Sequence, residues 1–157
     1  MRLTFEPLPE DPETIYTVAS WNQSYWGTQY PDIFEGDDFQ SEFESHATNK
    51  QGLPRTYIAK LNGELAGAIT IELEPAIDSW SFGPWVSNLY VSEGFRDQGI
   101  GNYLMEMALV KLKELKHEKA YIWTDASNEE YYTRRLWAAV ADTELGERRI
   151  LVFEKTL

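Results

Sequence analysis

Asn62-Gly63 stands between two strand-patterned runs, residues 56–61 and 65–74, and this pair restricts the fold more than any other feature. Both residues tolerate the positive φ that a two-residue type I′ turn demands, so the runs fold back on each other as an antiparallel hairpin. A hairpin in mid-chain excludes a uniformly parallel sheet. On the return run Gly67, Ile69, Ile71 and Leu73 share one face, and Ala68, Thr70, Glu72 and Glu74 share the other.

The segments around the hairpin have other periods. Residues 2–8 read as a short opening strand. Asp11-Pro12 is an N-cap followed by proline at the first helical position, and Ile15, Val18, Ala19, Asn22 and Trp26 then fall on one helical face. Pro31 and Gly36 punctuate a loop. A second helix starts at Asp38, with Phe39, Phe43 and Ala47 in register. Beyond the hairpin, 75–84 is a loop rich in Ser, Gly and Pro, and 85–92 is a strand. A long helix follows, marked by Ile100, Leu104, Met107, Ala108, Leu112 and Leu115. Residues 119–124 form a strand, Ser127 to Glu130 fits a capping box, and 148–155 closes the chain as a strand paired across Leu145-Gly146. A short strand near 139–144 completes the pattern. The order β-α-α-β-β-β-α-β-α-β predicts an α/β (α+β) fold, with a mostly antiparallel twisted sheet of six to seven strands and helices on both faces. With 157 residues and no repeat or linker, a single domain over 1–157 is expected.

Charge and composition exclude several functions. Fourteen basic residues against 26 acidic ones give a net charge of −12, unsuited to a phosphate backbone, so no nucleic-acid partner is expected. The same charge suits cationic substrates. The absence of cysteine removes disulfides, thiolate nucleophiles and Cys-type zinc sites, and no metal site is expected. No leader-like or membrane-length apolar run is present, so a cytoplasmic protein without a membrane partner is expected.

The chemistry concentrates in residues 89–101. There a strand passes through Arg96-x-x-Gly99-x-Gly101 into a helix. First-turn amides of a helix lack internal partners, and the helix dipole favours negative charge beside them. Glycine lets the backbone approach a phosphate, and Arg96 and Gln98 add donors. Three readings compete: a plain connecting turn, a dinucleotide-binding turn with Asp125 as its ribose acid, and a coenzyme A cradle. Against the second, Leu104 stands where a third glycine belongs, and the turn comes too late for a doubly wound sheet.

Residues 88–101 resemble the signature of the GNAT family of N-acetyltransferases: Arg/Gln-x-x-Gly-x-Gly/Ala, between the fourth strand and the third helix. A second stretch, Ile122-Trp123-Thr124-Asp125 with Asn128 ahead of Tyr131-Tyr132, is similar to one branch of that family. The sequence departs from the family after the tyrosines, where Leu136-Trp137 replaces the usual glycine and aromatic.

The resemblance implies a GNAT-like acyl-CoA N-acyltransferase fold and a reaction in which an amine attacks acetyl-CoA directly. It assigns the pantetheine arm to the backbone of Leu89, Tyr90 and Val91, with Asn128 nearby. The pyrophosphate falls to the amides of Arg96, Asp97, Gln98, Gly99, Ile100 and Gly101. A fourth-strand amide would be the oxyanion donor. Tyr132 is the candidate acid, since a phenol (pKa ~10) can reprotonate a leaving thiolate (pKa ~8.5). Glu72 or Glu74 would take the proton of the amine. Of the aromatics Trp21, Tyr25, Trp26, Tyr30, Trp80 and Trp85, Trp26 and Tyr30 are placed against a cationic substrate, with acidic Asp32, Glu35, Asp37 and Asp38 attracting it. His117 is expected to be exposed and His46 lies in the second helix, which borders the substrate cleft in relatives; neither is expected to act as the base. Family members are frequently dimers, so a homodimer is one expected partner. The other readings are a catalytically silent acyl-CoA-binding module of the same fold and a nucleotide-dependent oxidoreductase.

Overall fold

The computed structural model describes residues 2–34 and 36–157; Glu35, one of the acids expected to attract a cation, lies outside them. Strand β1 (Leu3–Pro7) leads to α1 (Pro12–Gln29), which Asp11 caps by accepting from the Thr14 amide at 3.0 Å. The loop expected after it holds one helical turn, α2 (Pro31–Phe34). Helix α3 (Phe39–Thr48) is capped by Asp38 in the same manner as α1. Strands β2 (Arg55–Leu61) and β3 (Glu64–Glu72) form the hairpin, with φ of 53° at Asn62 and 85° at Gly63. The return strand stops at Glu72, two residues earlier than its alternation suggests. Leu73, expected to face inward, is 51% exposed because the chain there has left the sheet.

Then follow β4 (Trp85–Val91), α4 (Ile100–Glu114), β5 (Lys119–Asp125), α5 (Glu129–Arg134), β6 (Ala138–Leu145) and β7 (Arg148–Thr156). The capping box at Ser127 does not form. Asp125 caps first, accepting from the Ser127 amide and starting a 3-10 turn that runs into α5. The sheet order is β1-β2-β3-β4-β5-β7-β6, and every neighbouring pair is antiparallel except β4 and β5.

Alternation in the hairpin decides which layer covers which face. Tyr57, Ala59, Ile69 and Ile71 pack with Ile100, Leu104, Ala108 and Leu112 of α4. Ile58 and Ala68 point the other way, against Val18, Ala19, Phe39 and Phe43 of α1 and α3. Helices therefore cover both faces of the β1–β4 half.

Two backbone irregularities shape the middle of the sheet. Ser87 pairs with Thr70 and Tyr90 with Ala68, so Asn88 and Leu89 together face Ile69 in a β-bulge, with φ 53° at Asn88. Opposite it, a Cβ on Gly67 would lie 2.6 Å from the Tyr90 carbonyl oxygen, so only glycine fits. The second irregularity follows α5. Leu136 takes φ 68°, a left-handed conformation that favours glycine, and Trp137 then enters the core at 4% exposure.

Candidate active site

Strands β4 and β5 part almost as soon as they meet. One register pair joins them, Trp85 with Tyr121, and beyond it they diverge. The wedge opens into a cleft of about 480 Å³ lined by residues of both strands, of α1 to α3, and of the start of α5. The cleft and the turn that follows β4 are built differently.

At the wide end of the wedge, the turn between β4 and α4 presents bare backbone. Gly99, at φ 79°, caps α4 with no side-chain bond of its own. The amides of Asp97, Gln98, Gly99, Ile100, Gly101 and Asn102 find no acceptor among the described residues, and no acid occupies the first turn of α4. A Cβ on Gly101 would touch only Val91 Cγ2, at an ordinary 3.7 Å, so packing alone does not demand glycine there. These features fit a diphosphate held by backbone amides at a helix N-terminus. Arg96 is committed elsewhere: Nε donates to the Val91 carbonyl at 3.0 Å and a terminal nitrogen to the Tyr90 hydroxyl at 3.3 Å, while its own amide bonds Glu93. Of the three residues expected along the pantetheine arm, Leu89 lines the cleft and Val91 already has its carbonyl occupied by Arg96. Asn128 also lines the cleft and donates to Thr124 Oγ1 at 2.9 Å.

Tyr132 lines the same cleft. Helix α5 is tied to α4 by the Tyr131 hydroxyl, which donates to Asn102 Oδ1 at 2.6 Å, and Tyr132 lies against Phe153 and Trp137. Burial pushes its phenol up to about 12, so it holds its proton at any physiological pH.

The opposite side is carboxylate and aromatic. Asp37, Glu42, Glu72 and Glu74 line the cleft, and no Lys, Arg or His does. Glu72 accepts from the Ser87 hydroxyl; burial raises its pKa above the usual carboxylate range, and Glu74 raises it further, against the pull of the Ser87 bond. Glu42 is pushed up to about 7, first by burial and then by the charges of Glu72 and Asp37. Trp26 lines this side as expected; Tyr30 does not. It is buried at 6% exposure, lies beneath Arg148 and stands edge-on to Trp123, so its ring is spent on packing. Trp21 stacks on Tyr90 instead of joining the box. The centre of the aromatic cluster is Trp123, with Trp26, Tyr30, Phe34 and Trp80 around it.

Sequence reasoning missed Glu42 and Trp123 as cleft residues. Glu42 carries no local signal, since an acid in the first turn of a helix is commonplace. Trp123 did sit in a quoted segment, but Ile122, Trp123 and Thr124 all line the cleft, so strand alternation does not single it out. His46 is not among the residues lining the cleft: it is buried on the inner side of α3, and its Nδ1 lies 2.8 Å from Thr56 Oγ1. Asp125, the ribose acid of the dinucleotide reading, is engaged by Arg148 at 3.2 Å and by the Ser127 amide.

The comparisons agree with this geometry. The model of the acetyltransferase (GNAT) family matches residues 15–137, and the chain belongs to that family. Its fold is shared with a structure of aminoglycoside 6′-N-acetyltransferase complexed with coenzyme A: 15% identity, 99% of this chain and 97% of that one, TM-score 0.74. An acyl-CoA N-acyltransferase from Pseudomonas aeruginosa aligns at 17% identity over 98% and 99% of the two chains, with TM-score 0.69. Ard1 from Thermoplasma volcanium aligns at 14% identity over 100% and 99%, with TM-score 0.71. No curated protein sequence matches the chain. No helix among the described residues is long and apolar enough to cross a membrane.

Proposed function

We propose that this chain transfers an acetyl group from acetyl-CoA to a primary amine by direct attack. The observation that carries the reading is the parting of β4 and β5 beyond Trp85 and Tyr121, with Tyr132 and Glu72 facing one cleft. The amides of residues 97–101 would hold the diphosphate, and the backbone at Leu89 together with Asn128 would hold the pantetheine arm. When bound, acetyl-CoA supplies an activated acyl group whose departing thiolate needs a proton. Tyr132 keeps that proton at its hydroxyl and donates it.

On the other side the carboxylates draw in an ammonium and must then deprotonate it. Glu72 is oriented by Ser87, Glu42 feels the charge of Glu72, and a carboxylate whose pKa is raised is a better base than a free one. Trp26 and Trp123 offer aromatic surface to the cation and exclude water from it.

The test is thiol release with acetyl-CoA and a panel of amines, on wild type and Tyr132→Phe. The variant should lose about a hundredfold in kcat while the KM for acetyl-CoA stays within about twofold. Tight acetyl-CoA binding by a wild type that releases thiol with no amine would identify a silent binding module instead.

A further inference from the structure

A buried polar chain crosses the sheet from α3 to the bulge in β4. His46 Nδ1 lies 2.8 Å from Thr56 Oγ1, Thr56 Oγ1 lies 2.7 Å from Thr70 Oγ1, and Asn88 Nδ2 donates to Thr70 Oγ1 at 3.2 Å. His46, Thr56 and Thr70 are 6%, 1% and 0% exposed. Thr56 and Thr70 are direct cross-strand partners, and Thr70 pairs with Ser87, next to Asn88. Two valines would fill the same space with no polar group to satisfy, so packing does not account for two threonines, a histidine and an asparagine in line.

Hydrogen-bond bookkeeping allows the chain two directions. Asn88 Nδ2 donates to Thr70, whose oxygen can accept a second bond. Either the hydroxyl protons run from Thr70 to Thr56 and from Thr56 to His46 Nδ1, with the imidazole proton on Nε2, or Nδ1 donates to Thr56 and Thr56 to Thr70. Burial pushes the imidazole pKa down to about 4, which keeps the ring neutral, and both directions leave the four side chains linked.

The far end of the chain is the one residue of β4 in the left-handed region, Asn88 at φ 53°. Asparagine tolerates this conformation, and the bond to Thr70 fixes the side chain above it. Asn88 lines the cleft, and its bulge presents Leu89 there as well. We infer that His46 is a positioning residue of the transfer site: acting through Thr56 and Thr70, it holds the Asn88 amide and so the bulge that turns the β4 backbone into the cleft. This rests on the proposed acetyl transfer for its kinetic consequence. The coupling itself can be read without turnover.

The experiment compares His46→Leu, Thr70→Val and His46→Asn in the full chain, with Val18→Ala in the α1 core as a packing control. His46→Leu and Thr70→Val remove a link. His46→Asn restores an acceptor, because its Oδ1 stands where Nδ1 stood. Kinetics with acetyl-CoA and the best amine are measured beside the Asn88 side-chain amide resonance. The link-breaking variants should lose about tenfold in kcat/KM for acetyl-CoA and shift the Asn88 resonance, and His46→Asn should recover to within about threefold. Val18→Ala should lower the melting temperature and leave both readouts in place. The inference is overturned if His46→Leu behaves like Val18→Ala, or if His46→Asn recovers nothing. A wild type that acetylates no amine would count against the proposed reaction. The Asn88 resonance would still decide the coupling.

Discussion

The cleft and the turn from β4 into α4 are made of different material. The turn offers backbone: open amides, a glycine cap and a second glycine whose added Cβ would meet only Val91 at an ordinary distance. The wall formed by α1 to α3 and the end of β3 offers side chains, four acids among the described residues set between aromatic rings. A site read by backbone must write its needs into consecutive residues, because only local φ, ψ and missing Cβ atoms can shape it. A site read by side chains recruits them from anywhere that topology brings close.

Gly101→Asp strikes at this contrast with the largest expected effect. The fold has room for a side chain there, and an acid in the first turn of α4 suits the helix dipole, so thermal stability should hold or rise slightly. The same carboxylate would repel a diphosphate at the amides around it. The KM for acetyl-CoA should rise by about a hundredfold or more, about 3 kcal/mol of lost binding. Unchanged acetyl-CoA binding in titration calorimetry would show that the bare turn serves no ligand.

On the side-chain wall the informative change is Glu42→Gln, with a middling effect. Glu42 in the fold titrates near 7 against about 4.5 for an ordinary glutamate, so the folded chain holds a proton that the unfolded chain releases between those values. Its contribution therefore weakens the fold as pH rises through that window. Glu42→Gln should stabilise the protein at pH 8 by about 1–2 kcal/mol, less than the full shift because water reaches the group, and should change little at pH 4.5. Activity should move the other way, with kcat/KM at pH 7 down about tenfold. The part of the profile that Glu72 sets should stay in place, because burial and the charge of Glu74, not Glu42, raise Glu72. A stability difference that does not depend on pH would show that Glu42 lies in open solvent.

The same contrast explains what the sequence revealed. The hairpin, the helix caps at Asp11 and Asp38, the inward faces of β2 and β3 and the glycine turn are all local statements, and each stands where the sequence places it. The early end of β3 was not legible, because Leu73 and Glu74 continue the alternation after the chain has left the sheet. The acceptor side was legible only in outline. Excess acid and aromatic residues raised the expectation of a cation site, but nothing near Glu42 says that α3 brings it beside Glu72, 30 positions away in sequence. Tyr30 was misplaced for the converse reason. One helical turn at 31–34 that the sequence does not announce tucks its ring against Trp123.

Leu136 carries the contrast to its smallest effect. Its position belongs to the backbone-coded class, yet the coding residue is missing: the chain takes φ 68° with a leucine whose side chain is 82% exposed. A leucine in that conformation costs about 1–2 kcal/mol, and with so little of it buried there is scarcely any contact energy to offset the strain. Glycine would remove the strain but lose more chain entropy on folding, an opposing cost of about 0.5–1 kcal/mol. Leu136→Gly should therefore gain a net 0.5–1 kcal/mol, roughly 1–4 °C in melting temperature for a chain of this size. Because Leu136 touches neither wall of the cleft, kcat and KM should stay within about twofold. A loss of stability would mean that the leucine, exposed as it is, holds the turn through its side chain. The reading of this turn as a demand of the backbone alone would then fail at Leu136.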